Sequence, residues 1–183
     1  MKITRLLQLF FILSIIFVPS CSDNDEEITV PEEVALILFE EATFSEDEFI
    51  IYLTEDPNGK TFSFGAGTYN FTNTIPLADI ENLTIKGAGI DETYFDFSNS
   101  ASTSGEGIAA TQCSNLLFCG FTIQNTNGGN AITARNITGL RIDGVGTVWP
   151  ESSPDNGAYG IYPVESDDVI VENCYAQAAV DAG

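Results

Sequence analysis

The apolar positions of this chain fall into a spaced pattern that occurs four times. One anchor is followed 8 residues later by a second, and one residue beyond that by a third: Ile75, Leu83, Ile85; Ile108, Leu116, Phe118; Ile132, Leu140, Ile142; Ile161, Val169, Val171. Successive copies start 33, 24 and 29 residues apart, so the loops change length while the anchors keep register. Fixed anchors with variable loops mark stacked supersecondary units, each able to bury its apolar side only against its neighbours. Alternation within the second strand of each unit sends Leu83, Leu116, Leu140 and Val169 inward, with Ile85, Phe118, Ile142 and Val171 beside them. It sends Lys86, Cys119, Asp143 and Glu172 outward. Two residues on, Ala88, Phe121, Val145 and Cys174 form a further inward column. Asn82, Asn115, Gly139 and Asp168 precede the strands, and these residue types adopt a left-handed backbone at least cost, which predicts a repeated tight corner. A helical solenoid needs apolar spacings of three and four and has no place for such a corner. The pattern therefore predicts an all-β chain, a parallel β-solenoid.

Ahead of the ladder, Ser45 with Glu48 three residues on forms a capping box leading into Phe49, Ile50, Tyr52 and Leu53. A short helix here closes the first rung, while the alternative is a strand over Phe49 to Leu53. Asp56-Pro57-Asn58-Gly59 is a turn, and the regular region starts at Lys60. Phe62 and Phe64 recur as Phe95 and Phe97 after 33 residues, which extends the first repeat. Two loops stand out: the Ser/Gly-rich stretch Ser98 to Glu106, and Val148 to Asn156, which holds the only Trp. Loops raised on a rigid scaffold are where binding residues usually sit.

Charge and the N-terminus change the picture. Lys2 and Arg5 precede a mostly apolar run of 13 residues, Leu6 to Val18. That is short of the roughly 20 residues of a spanning helix and fits the apolar core of an export signal. The run ends in Val-Pro-Ser-Cys, which resembles a lipobox with Cys21 as the lipid-bearing residue, the alternative being an ordinary cleaved leader. All 27 acidic residues follow Cys21, so cleavage there leaves four basic residues and a net charge of −23. A surface so acidic repels nucleic acid and anionic lipid, which excludes nucleic-acid binding. Ser22 to Asp56 carries 13 acidic residues and no basic one, as either an extended tether or a plain linker.

Candidate chemistry is sparse. Asp143 and Glu172 are adjacent in an outward column and form a carboxylate pair suited to calcium or acid/base work, or simply a solvated face. Trp149, Tyr159, Tyr162 and Tyr175 are candidate sugar-stacking residues, against the background that Tyr is common on exposed sheet. Of the three cysteines after Cys21, Cys174 reads as a buried thiol, and Cys113 and Cys119 flank a corner as a candidate pair. With no His and no closely spaced Cys pair, the sequence supports no zinc or copper site.

From Ile75 to Gly183 the chain resembles the right-handed parallel β-helix of the pectate-lyase superfamily. NGAYGIYPVESDDVIVENCYA followed by DAG is similar to bacterial parallel β-helix repeat lipoproteins, and more distantly to mannuronan epimerases and the accessory proteins of nitrous oxide reductase. The resemblance implies a lipoprotein signal peptide over 1–21, an acidic linker and N-terminal cap over 22–57, and a β-helix over 58–183. It also implies anchoring in the outer membrane, facing the cell exterior, and contact with polysaccharide. Epimerases of this group carry an Asp-Pro-His motif that this chain lacks, and the calcium-binding Asp cluster of the lyases has no counterpart here. An epimerase or lyase activity would then draw its catalytic residues from beyond residue 183; the alternative is a non-catalytic adhesion or accessory scaffold. The pattern runs to Gly183 without a capping segment, so the ladder is expected to be C-terminally incomplete, with Val169 and Val171 exposed on its last rung.

Overall fold

A computed structural model describes residues 35–181. The leader, Cys21 and the first part of the acidic segment lie outside the described residues. The elements, in order, are β1 (Ala35–Phe39), α1 (Glu46–Glu55), β2 (Lys60–Phe64), β3 (Gly67–Asn70), β4 (Ile75–Ala78), β5 (Glu81–Lys86), β6 (Thr93–Asp96), β7 (Ile108–Thr111), β8 (Ser114–Gln124), β9 (Ile132–Arg135), β10 (Thr138–Val148), β11 (Ile161–Val164), β12 (Asp167–Glu172) and β13 (Tyr175–Gln177). Every strand pairing is parallel. One sheet stacks β1-β2-β5-β8-β10-β12, with β3, β6 and β13 continuing it, and a second stacks β4-β7-β9-β11. Among the described residues the result is a parallel β-solenoid of about six turns with a single short α-helix.

The register matches the anchor pattern residue for residue. Leu83, Leu116, Leu140 and Val169 are successive partners, as are Ile85, Phe118, Ile142 and Val171. Ile75, Ile108, Ile132 and Ile161 align in the second sheet. The corner column has the left-handed backbone its composition predicts, with φ of 59° at Asn82, 53° at Asn115, 76° at Gly139 and 53° at Asp168. A second left-handed column, at Asp79, Gln112, Asn136 and Glu165, lies three residues earlier. It keeps the same steps and is wholly polar, a signal the apolar pattern overlooks.

Two sequence alignments are corrected. Ala88 is exposed, and Thr93 takes its place in the inward column opposite Phe121, because residues 88–92 form a detour between β5 and β6. In the next two rungs Gly120 and Gly144, at φ 68° and 62°, let β8 and β10 pass through the same bend without a break. The Phe62/Phe64 to Phe95/Phe97 correspondence also fails, because Phe62 and Phe64 lie on β2, which pairs with β5, and Phe95 on β6, which pairs with β3. Phe62 partners Ile85, whereas Phe95 partners Tyr69.

The core is aromatic at its N-terminal end and aliphatic further along. Phe39 stacks on Phe64 (4.8 Å between centroids), Phe71 on Phe97 (5.2 Å) and Phe95 on Phe121 (4.6 Å). α1 closes this end as the capping box predicts. Ser45 accepts a hydrogen bond from the Glu48 backbone N–H at 3.4 Å, and Phe49 and Leu53 are buried, Phe49 edge-on to Phe39 and Phe62. The Glu46 carboxylate accepts from the backbone N–H groups of Thr72 and Asn73, both at 2.9 Å, and so fixes the helix to the following turn. β1 adds a strand to the sheet ahead of Lys60, inside the segment read as linker and cap. On the last described rung Ile161 and Val169 are half-buried and Val171 is 45% exposed.

Candidate functional site

The outward column is built as the alternation requires: Lys86 partners Cys119, Cys119 partners Asp143, and Asp143 partners Glu172. The carboxylate pair is not free, however. Arg141, two residues before Asp143 on the same strand, places its guanidinium 3.6 Å from the Asp143 carboxylate and pairs with Glu172 as well, and the Asn173 amide donates to Asp143 at 2.8 Å. An arginine thus occupies the place a calcium ion would need between the two acids. Among the described residues no group of three or more His, Cys, Asp or Glu is gathered to hold a metal ion.

Cys113, Cys119 and Cys174 are all unpaired. The candidate pair fails because the buried Cys113 thiol donates to the Thr111 carbonyl at 3.3 Å while Cys119 stands in the outward column. Burial pushes the Cys119 thiol above its ordinary range; Lys86 pulls it down and Asp143 adds to the rise.

The four aromatic candidates separate. Trp149 is 2% exposed, its indole N–H donating to the Thr126 carbonyl at 3.0 Å. It is a core residue, so its assignment to a sugar platform is wrong: the indole buries its large apolar surface while its N–H finds a carbonyl partner. Gly157 makes room, since a Cβ there would lie 2.7 Å from the indole. Tyr175 belongs to the first sheet, where its ring lies over Gly146 and its hydroxyl is 3.4 Å from that of Thr122. Tyr159 and Tyr162 do come together, stacked at 4.7 Å with planes 13° apart. The Tyr159 hydroxyl donates to Asp181 at 2.8 Å, and that bond raises its pKa.

The tyrosine pair terminates a polar line that the sequence pattern did not single out. Tyr162 partners Thr133 on the adjoining strand, and the column continues to Ala109 and Pro76. The Thr133 hydroxyl donates to the Glu106 carboxylate and accepts from the Asn130 amide at 3.2 Å. The Asn130 side-chain oxygen in turn accepts the Tyr159 backbone N–H at 3.0 Å. Further along, the Thr74 hydroxyl lies 2.8 Å from that of Ser102 and 3.1 Å from that of Ser104, and donates to the Glu106 carbonyl at 2.8 Å. The four loops between the end of the first sheet and the start of the second, after β3, β6, β8 and β10, stack along this edge, which is why residues from 74 to 162 meet there. Small side chains at Pro76 and Ala109 keep the adjoining face low. The column 76, 109, 133, 162 follows the anchor steps, so it was readable in principle; the loop residues Ser102, Ser104, Glu106 and Asn130 carry no periodic signal.

No family model matches the chain, and no curated protein matches it. Among solved structures it is similar to a protein from Parabacteroides merdae ATCC 43184 provisionally called a glycosyl hydrolase, at 14% identity and a TM-score of 0.41, over 76% of this chain and 96% of that one. A likeness at that level bears on neither activity nor substrate.

Proposed function

We propose that this chain is an envelope-anchored β-solenoid that holds an extended polysaccharide against the outer face of its second sheet. The observation that carries the reading is the stacked Tyr159–Tyr162 pair, set at the end of a line of hydroxyl, amide and carboxylate groups that runs along the solenoid axis. Successive rungs are spaced by about 4.8 Å, comparable to one sugar ring of an extended glycan, so each rung offers polar contacts to the next ring. Aromatic rings with polar tips suit sugars, which present an apolar ring face and a hydroxyl edge. Anchoring is supported by the apolar leader ending at Cys21, with the acidic segment behind it as a tether. The ion triad of Arg141, Asp143 and Glu172 favours binding over acid/base chemistry at that pair.

Affinity electrophoresis of the full chain in gels containing soluble polysaccharides tests the reading. Retardation that Tyr162→Ala abolishes supports it; equal mobility of wild type and variant in every gel contradicts it. For the anchor, Cys21→Ala is expected to move the protein from the membrane to the soluble fraction.

A further inference from the structure

The opposite edge of the second sheet carries a groove of about 460 Å³, lined by Asp79, Glu81, Gln112, Cys113, Ser114, Asn136 and Thr138. We propose that it is a second contact line for an extended, uncharged glycan, which hydrogen-bonds to Gln112, Ser114, Asn136 and Thr138 along the solenoid axis. This rests on the polysaccharide reading above and names its ligand class.

The backbone rules out a peptide strand as occupant. Along the groove the N–H groups of Gln112, Ser114, Asn136 and Thr138 are already spent on Arg135, Ile80, Val164 and Cys113 carbonyls, at 3.0, 2.9, 3.1 and 3.2 Å. No strand edge is open there for β-addition. What remains is side chains, an amide and a hydroxyl on each of two adjoining rungs, Gln112 with Ser114 and Asn136 with Thr138. None of the four makes a hydrogen bond to another described side chain or carbonyl. Such amide and hydroxyl pairs match the donors and acceptors of sugar hydroxyls. Charge sets the ligand class further. Asp79 and Glu81 stand at one end of the groove and Asp167, the strand partner of Thr138, at the other, so a polyuronate meets like charge at both ends.

Backbone geometry points the same way. Gln112 and Asn136 hold φ of 56° and 55°, where glycine fits without strain. The corner three residues on uses Asn, Asn, Gly and Asp, the tolerant types, whereas this one keeps a glutamine and, at Glu165, a glutamate. Long polar side chains are retained here at a cost in stability, which is the pattern of a functional position.

The same geometry supplies a clean test, because glycine removes these side chains while relieving the backbone. The full chain, Gln112→Gly/Asn136→Gly, Gln112→Glu and Tyr162→Ala are run in gels containing β-glucan, xyloglucan, galactomannan or polygalacturonate, alongside melting curves. The expected result is retardation of wild type by at least one of the three neutral polymers. The double glycine variant should lose that affinity at least tenfold with a melting temperature equal to or above wild type, and Gln112→Glu should weaken it with the fold intact. Wild-type retention by the double variant, while Tyr162→Ala loses binding, overturns the groove and leaves the tyrosine site standing. Binding to polygalacturonate alone overturns the ligand class. No retardation of wild type in any gel overturns both.

Discussion

Asn115 donates its side-chain amide to the side-chain oxygen of Asn82 at 3.0 Å, joining two rungs at a corner where both residues hold a left-handed backbone. The bond and the backbone are separable. Asn115→Ala loses the bond and keeps the strain, and should cost about 1–2 kcal/mol. Asn115→Gly loses the bond and relieves the strain, so its cost should be smaller, about 0.5–1 kcal/mol. Urea unfolding distinguishes them; equal losses would mean that the corner conformation carries no strain.

Leu140 is 1% exposed between Leu116 and Val169, so Leu140→Ala should cost about 2–5 kcal/mol. Its neighbour Arg141 faces outward, its side chain half exposed. Because it bridges Asp143 and Glu172, Arg141→Ala should cost up to about 1 kcal/mol and leave two adjacent carboxylates opposed. That loss should shrink with added salt. A loss at Arg141 equal to that at Leu140 would contradict the strand phase.

Trp149→Phe keeps most of the buried surface but strands the Thr126 carbonyl, and should cost about 1–3 kcal/mol. In calorimetry it should lower the melting temperature, while glycan affinity below that temperature stays at the wild-type level. A selective loss of affinity at unchanged stability would restore Trp149 to the binding surface.

The Asp96 carboxylate sits below its usual range. Burial alone would raise it; hydrogen bonds from the Ser98 backbone N–H, Asn125, the Ser98 side chain and Gln124 outweigh that effect. A depressed folded-state pKa contributes stability above the unfolded-state value, and that contribution is lost as pH falls through the ordinary carboxylate range toward the folded value. The stability difference between wild type and Asp96→Asn should therefore be largest near neutrality and shrink below about pH 4. Thermal melts at neutral and acid pH measure it, and a difference independent of pH would contradict the assignment.

The ladder was legible because its information is periodic. Leu83, Leu116, Leu140 and Val169 repeat at fixed spacing from their partners, and an inward column tolerates only apolar residues, so register could be read without contacts. Matching spacing misled at Phe95, which lies on β6 and partners Tyr69 on β3, while Phe62 lies on β2 and partners Ile85. The candidate site was harder to see. Tyr159 and Tyr162 were found from residue type, but Trp149 shows that type alone does not say which way a loop side chain turns. Arg141 reaches Asp143 two residues along its own strand and Glu172 diagonally on the next, a geometry that a column of partners does not represent. Glu106 comes from a loop of another turn, and only the stacked fold brings it to Thr133 and brings Tyr159 to Asn130.

Hydrogen–deuterium exchange of the full chain, with and without the polysaccharide that retards it most, tests the central claim directly. The account predicts new protection confined to the two edges of the second sheet, in peptides covering residues 102–109, 130–135 and 159–164 on one side and 111–115 and 136–139 on the other, with the first-sheet face around Lys86, Cys119 and Asp143 unchanged. Protection confined to that first-sheet face, or no change anywhere at saturating polysaccharide, would contradict it.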